Sequence, residues 1–261
     1  MIGSTNALEG WRVVGRDGEL GTLKDFYFDD QRWAIRYLIV HTGGWFRGRD
    51  VLLSPVFSGT ANNWDGAFHI EVSRAQVERA PDIDMRKPVS RQLEAQYGRY
   101  YDYPPYWAYG VGGALWGWGP SPTTRIEPSV HEEMVEREMR EREARQHGGA
   151  DAHLRSAREI VGYHVEARDG PIGHIEDLLF DEESWAIRYV VMNTRNWLPG
   201  KHVIISPQRF TEPSWTEHKI WVDLTRDQIL HSPEFDGRSL QQRSDLPRPE
   251  PGREPRNEHH V

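Results

Sequence analysis

Short apolar stretches, separated by turn residues, recur along the chain and predict strands rather than long helices. Leu20–Phe28 is one such stretch, and Gly21 inside it predicts a β-bulge or a close backbone approach. Trp33–Thr42 is predicted to be the longest strand. Both of its faces are largely apolar apart from Arg36, so we expect it to be central in its sheet. Phe68–Val72 alternates apolar and polar residues and predicts a final strand.

Turn and cap residues punctuate these stretches. Asp17-Gly18 is typical of a tight hairpin, because glycine tolerates the backbone angles of such a turn. Ser73 followed by Gln76 forms a capping-box pattern and predicts a short helix, and Thr225 followed by Gln228 repeats it. Five or six short strands with one terminal helix indicate a small antiparallel β-barrel.

The whole pattern occurs twice. Leu8–Pro81 and Ile160–Pro233, offset by 152 residues, agree at 23 of 74 positions without a gap. A repeat of this size predicts two structural units of one kind. The fold class predicted is therefore mainly β: two small antiparallel barrels, each with a short C-terminal helix, joined by an aromatic and glycine-rich linker and one charged helix.

Five segments follow from this organisation. They are a first barrel at 1–83, the linker at 84–127, the charged helix at 128–148, a second barrel at 155–235 and a disordered tail at 236–261. The charged helix is predicted from Glu–Arg pairs four residues apart, and its thin apolar stripe favours a solvated spacer. The tail is rich in Pro, Arg and Glu and has almost nothing to bury.

The linker is unusually aromatic. Tyr97–Trp118 holds six tyrosines, three tryptophans and five glycines. The favoured interpretation is that these rings pack on the barrels; a protein-interaction segment and a contact with the membrane interface are the alternatives. The candidate interaction residues in this segment are Tyr100, Tyr101, Tyr103, Tyr106 and Trp107.

Composition limits the classes of function. The net charge of −8 and pI near 5.8 argue against a general nucleic-acid binder. The absence of cysteine excludes disulfides and thiol chemistry. The N-terminal residues show no signal-peptide pattern, and no apolar run has the length of a spanning helix, so we expect a cytoplasmic protein.

Polar residues shared by both copies are the natural candidates for a site. Arg36 and Arg188 lie in the middle of matched predicted strands beside apolar neighbours. The favoured interpretation is that they form cross-strand ion pairs with Asp25 and Asp177, and the alternative is a binding site.

No histidine is shared: His41 matches Asn193 and His164 matches Arg12. The chain also has no nucleophile elbow, phosphate-binding loop or dinucleotide fingerprint. We therefore predict no catalytic residues, no metal and no cofactor. His259-His260 is weak evidence for a metal site because it is only a neighbouring pair.

Two pairs of tryptophans are matched between the copies. Trp33 and Trp185 are predicted to lie in the core at the start of the long strand. Trp45 and Trp197 fall in the following turn, and turns usually run over the surface. We expect an exposed pair of this kind to mark an interface, either between the barrels or with a partner.

The Asp-Gly hairpin, the aromatic-rich strand after it, the late Ser-Pro and the capped terminal helix together resemble the PRC-barrel family. That family is named for the cytoplasmic domain of the photosynthetic reaction-centre H subunit, and a related domain forms the C-terminal part of a ribosome maturation factor. The resemblance covers both copies and implies the barrel fold. It leaves the function to be argued from the site.

The function expected is a non-enzymatic protein-binding or assembly module built from two such barrels. The two barrels are expected to pack with pseudo-two-fold symmetry, or the chain to dimerise through them. The expected partner is another protein or a second copy of the chain. The alternatives are an RNA- or ribosome-associated factor, which the acidic charge disfavours, and attachment to a membrane surface through the linker aromatics.

Overall fold

The structure is a computed structural model, and it describes residues 2–43, 48–58, 66–80, 100–101, 154–194, 201–211 and 213–236. Residues 2–80 are called the first half below, and residues 154–236 the second half. Most of the linker, the predicted charged helix and the predicted tail beyond residue 236 lie outside the described residues.

The described residues of each half form six strands, two short α-helices and one 3-10 helix. In the first half these are β1 (Ile2–Ser4), α1 (Thr5–Leu8), β2 (Arg12–Gly15), β3 (Gly18–Asp29), β4 (Ala34–His41), β5 (Asp50–Leu53), the 3-10 helix Pro55–Phe57, β6 (Ala67–His69) and α2 (Arg74–Arg79). In the second half they are β7 (Leu154–Ser156), α3 (Ala157–Ile160), β8 (His164–Ala167), β9 (Gly170–Asp181), β10 (Ile187–Asn193), β11 (His202–Ile205), the 3-10 helix Pro207–Arg209, β12 (Lys219–Trp221) and α4 (Arg226–Leu230).

The strands form two sheets with the same order. One runs β5-β4-β3-β2-β6, and the other runs β11-β10-β9-β8-β12. The predicted mainly β class with few short helices is confirmed. One detail differs from the antiparallel prediction, because β6 and β12 pair parallel with β2 and β8.

The longest strands are β3 and β9, of 12 residues each, and the prediction for Trp33–Thr42 was wrong in this respect. β4 begins at Ala34, because Trp33 still belongs to the preceding turn. As predicted, β4 is central: it lies between β3 and β5, and all of its residues except His41 are buried. A strand covered on both faces is expected to be apolar throughout.

Gly21 shows why one predicted irregularity is required. The pairing of β2 with β3 shifts register beside it, which confirms the bulge. A Cβ atom at this position would lie 2.0 Å from the carbonyl oxygen of His41, so only glycine fits. Gly173 meets the carbonyl of Asn193 in the same way, again at 2.0 Å.

Both predicted capping boxes are confirmed. The Ser73 hydroxyl accepts a hydrogen bond from the backbone N–H of Gln76, whose side chain accepts one from the Ser73 N–H. Thr225 and Gln228 repeat the arrangement at the start of α4. These bonds satisfy N–H groups that the first turn of a helix leaves without partners.

Candidate functional site at the junction of the two halves

The two halves exchange their first strands. β1 belongs to the first half in sequence but pairs antiparallel with β9 of the second, with Ile2 opposite Asp181 and Ser4 opposite Leu179. β7 in turn pairs with β3, with Leu154 opposite Asp29. The two registers are equivalent under the 152-residue offset of the repeat. The exchange therefore extends the repeat and gives the junction pseudo-two-fold symmetry.

Asp177 anchors the segment that follows β1. Its carboxylate accepts hydrogen bonds from the hydroxyl of Thr5 at 2.9 Å, from the backbone N–H of Asn6 at 3.2 Å and from the hydroxyl of Ser4. It also accepts one from the N–H of Leu178 at 2.8 Å. Burial raises the pKa of Asp177, and these hydrogen bonds to the carboxylate act in the opposite direction.

Asp25 anchors the corresponding segment after β7. Its carboxylate accepts a hydrogen bond from the Ser156 hydroxyl at 2.5 Å and one from the backbone N–H of Arg158 at 3.1 Å. Burial raises the pKa of Asp25 as well. Each serine hydroxyl also caps its own short helix, because it accepts from the N–H three residues on, at Ala7 or Glu159.

These partners overturn the predicted ion pairs. Arg36 lies within 3.6 Å of Asp29 instead, and both side chains are buried. Arg188 is exposed and lies 3.4 Å from the hydroxyl of Ser184. In the register of the sheet Asp25 lies opposite Ile39, three residues from Arg36, and is therefore too far along the strand for a cross-strand pair.

The backbones of the two halves also meet at Trp33 and Trp185. The N–H of Ile187 donates to the carbonyl of Trp33 at 2.8 Å, and the N–H of Ile35 donates to the carbonyl of Trp185 at 2.9 Å. Both tryptophans have positive φ, 51° and 61° respectively, which is an uncommon and costly conformation for a bulky residue. This backbone strain occurs at the two residues whose carbonyl groups accept hydrogen bonds from the other half.

The indole rings fill the junction. Trp185 stacks on Phe180 of its own half at 5.2 Å between ring centroids and lies 6.2 Å from Phe68 of the first half. Trp33 lies 5.9 Å from Phe210 of the second half. The burial predicted for the two tryptophans is confirmed, but the core that they join belongs to both halves. This role of the two tryptophans is not among the predictions made from the sequence.

Charged groups complete the contact between the halves. Arg155 on β7 lies 3.3 Å from Asp30 of the first half, and its guanidinium stands over the Trp215 ring at 4.3 Å from the centroid. Arg158 lies 3.3 Å from Glu9, but both side chains are largely exposed, so this pair adds little.

The predicted interaction residues have different surroundings. Tyr100 is partly exposed and donates its hydroxyl to the carbonyl of Gln76 at 2.6 Å, while Tyr101 is buried 5.2 Å from the Phe57 ring. For these two residues the structure agrees with packing on a barrel. Arg36 is buried in the first half and offers no surface to a partner. Five of the predicted residues lie outside the described part of the chain: Trp45, Trp197, Tyr103, Tyr106 and Trp107.

Arg188 and Tyr189 form an exposed pair on β10. Tyr189 is 40% exposed, whereas its counterpart Tyr37 is 2% exposed. Arg188 is likewise exposed, and its counterpart Arg36 is buried. The halves therefore share a fold but present different surfaces.

Two features of the described residues bear on the classes of function considered above. In the ranges that the structure describes, no three His, Asp or Glu side chains are placed to hold one metal ion. No helix in those ranges is both long and apolar enough to cross a membrane.

The architecture is that of two small β-domains interlocked through their first strands. Residues 4–77 match the family model of the PRC-barrel domain, and this match spans most of the first half. The second half repeats its strand order and register, which is consistent with a tandem arrangement. A comparison with curated protein sequences found no match. The PRC-barrel match suggests a protein-interaction or assembly module.

Proposed function

We propose that the chain is a non-enzymatic, cytoplasmic protein-binding module in which two interlocked PRC-barrels form a single platform for a partner protein. The observation that carries the proposal is the reciprocal exchange of β1 and β7 between the halves. Two domains on one chain are expected to move relative to each other unless the interface between them is extensive. Here strand pairing, buried carboxylates and tryptophan packing oppose such motion.

Rigidity matters for binding because less conformational freedom is lost when a partner docks on a preorganised surface. The exchange also covers part of the β3 and β9 edges within one chain, and unpaired edges are sites of non-specific strand pairing. A module that carries its own strand partner can therefore keep its remaining surface for a specific protein.

The surface proposed for the partner is centred on Arg188 and Tyr189. Tyrosine and arginine are enriched at protein interfaces and among the residues that contribute most to binding energy. Trp197 follows this strand in the sequence and lies outside the described residues, and it stays a proposed contact. Trp45 and the segment Tyr97–Trp118 remain proposed contacts on the first half and the linker.

The proposal is tested by capture of cross-linked partners from native lysate with the full chain as bait. The double variant Arg188→Ala, Tyr189→Ala is expected to lose the partner that the parent retains. A second double variant, Trp45→Ala with Trp197→Ala, and a deletion of Tyr97–Trp118 test the other proposed contacts. Trp221→Ala is the matched control, because Trp221 is also 40% exposed but lies on β12.

If every variant retained the partner, the proposed binding surface would be wrong. The module function itself would be overturned if the protein turned over a substrate and a substitution in a barrel abolished that turnover. A salt-dependent shift in the electrophoretic mobility of RNA on addition of the protein would support the ribosome-associated alternative instead. Membrane attachment would be supported if the protein floated with liposomes at high salt and the variant without Tyr97–Trp118 did not.

A further inference from the structure

A row of polar side chains crosses the second sheet, with one residue from each of the strands β11, β10, β9, β8 and β12. The register places five residues side by side, in the order His202, Asn193, His174, His164 and Lys219. The equivalent row of the first sheet is Asp50, His41, Thr22, Arg12 and Ala67. Of these two rows, only the one in the second sheet places two histidines directly opposite each other, at His164 and His174.

The hydrogen bonds around this pair bring the two side chains close. The N–H of His164 donates to the carbonyl of His218 on the far side of β8, at 2.9 Å, and so points away from β9. The neighbouring N–H of Ile175 donates to the carbonyl of Tyr163 at 3.0 Å. His164 and His174 therefore form a non-hydrogen-bonded pair, the antiparallel position in which opposite side chains approach most closely.

Both imidazoles are available. His164 is exposed and His174 is half-buried, and neither ring makes a hydrogen bond, ion pair or ring contact with another described residue. Other described histidines differ in this respect. His41, His202 and His231 each contact a carboxylate, and His218 packs against the ring of Tyr163.

We propose that His164 and His174 form a binding site for a divalent transition-metal ion such as Cu²⁺, Ni²⁺ or Zn²⁺. Neutral imidazole is a good ligand for these metals, with a metal–nitrogen bond of roughly 2.0–2.1 Å for zinc. Opposite Cβ atoms in an antiparallel pair are about 4.5–5.5 Å apart, so both rings can turn toward one ion between them. Because the described residues supply no third ligand of the His, Asp or Glu type there, water completes the coordination.

The charged neighbours favour a weak, reversible site. Lys219 lies beside His164 and would repel a cation, but its ammonium group is 3.9 Å from the carboxylate of Glu166. Glu176, two residues from His174 in the chain, already contacts the imidazole of His202. A site of this kind does not depend on the proposed protein partner.

The test is isothermal titration of the full chain with CuCl₂, NiCl₂, ZnCl₂ or MgCl₂ alone. For this titration the parent protein is the variant that carries His259→Ala and His260→Ala, so that the terminal histidine pair does not contribute to metal binding. The parent is expected to bind one transition-metal ion and no Mg²⁺. His164→Asn and His174→Asn should each weaken binding by at least about tenfold, since loss of even an outer-shell group costs roughly 10–100-fold. His231→Asn, a change at another exposed histidine of the same half, should bind like the parent.

Electron paramagnetic resonance of the Cu²⁺ complex provides a second measurement, and two nitrogen ligands are expected. Circular dichroism and thermal unfolding check that each variant is folded. The inference is overturned if the parent binds no transition metal, or if folded His164→Asn and His174→Asn bind as tightly as the parent.

Discussion

The hydroxyl of Thr5 donates a hydrogen bond of 2.9 Å to the carboxylate of Asp177, across 172 positions of the chain. The acceptor is buried in the second half, and the donor follows the strand that the first half contributes. This contact, together with the hydrogen bond from Ser156 to Asp25 on the other side of the junction, holds the exchanged segments in place. The stability of the whole molecule should therefore respond to single changes at these carboxylates.

Asp177→Ala should lower the free energy of unfolding by about 3 kcal/mol, because it leaves buried donors without an acceptor. Urea denaturation followed by tryptophan fluorescence measures the change. The control is Asp223→Ala, which removes an exposed ion pair with Arg168 and should cost less than about 1 kcal/mol. Equal losses in the two variants would show that Asp177 does not anchor the junction.

Trp33→Gly should be more stable than Trp33→Ala by about 1 kcal/mol. Both variants lose the indole ring, but only glycine adopts a φ of 51° without steric cost. Comparison of the unfolding free energies of the two variants tests this. Phe28 lies inside β3, so Phe28→Gly is expected to be less stable than Phe28→Ala. The same order at both positions would contradict strain at Trp33.

The contribution of Asp177 to stability should depend on pH. Burial raises its pKa in the folded protein above 3.8, so the folded state binds the proton more tightly than the unfolded state does. The stabilisation from proton binding is present at low pH and is lost as the pH rises through the folded pKa. Wild type should therefore gain stability relative to Asp177→Asn as the pH falls from about 7 toward about 4.

This dependence is measured as the difference in unfolding free energy between the two proteins at each pH. Asp169 provides an internal comparison in which the pH dependence of stability has the opposite sign. Its pKa is lowered, chiefly by a hydrogen bond from the backbone N–H of Arg226. A wild-type advantage that shrank on acidification would contradict the effect of burial at Asp177.

A chain cut in the linker should remain a complex of its two halves. A protease site inserted after Pro120 allows cleavage of the folded protein, and size-exclusion chromatography then shows whether the fragments elute together. The exchanged strands, the two anchoring carboxylates and the tryptophan contacts should hold the halves without a covalent link. Uncut protein is the first control. The cut double variant Asp25→Ala, Asp177→Ala should separate more readily, and separation of the cut wild type would show that the junction is weak.

Local chemistry explains why the sequence predicts much of this fold. The Asp-Gly turn, the bulge at Gly21 and the capping box of Ser73 and Gln76 depend on residues close in the chain or on the absence of a side chain. The repeat predicts two units of one kind because it preserves the apolar pattern and turn residues of the first copy. These features follow from backbone sterics and short-range hydrogen bonds, which the order of residues is sufficient to specify.

The strand exchange has a different origin. β1 and β7 have three residues each, too few for a periodic pattern, and their partners lie more than 120 positions away. Asp25 and Arg36 are plausible cross-strand partners by sequence, but the register of β3 and β4 separates them. Trp33 is recognisable as a core residue, but its positive φ and its contacts with the second half are not.

The amino-acid sequence by itself determined the two β-units, their turns and their helix caps, because these depend on neighbours along the chain. Only the tertiary structure decided that each unit is completed by the other, and that Asp25 and Asp177 hold peptide segments rather than arginines. The physical reason is that a buried carboxylate takes its partners from whatever donors the packed chain brings within hydrogen-bonding distance.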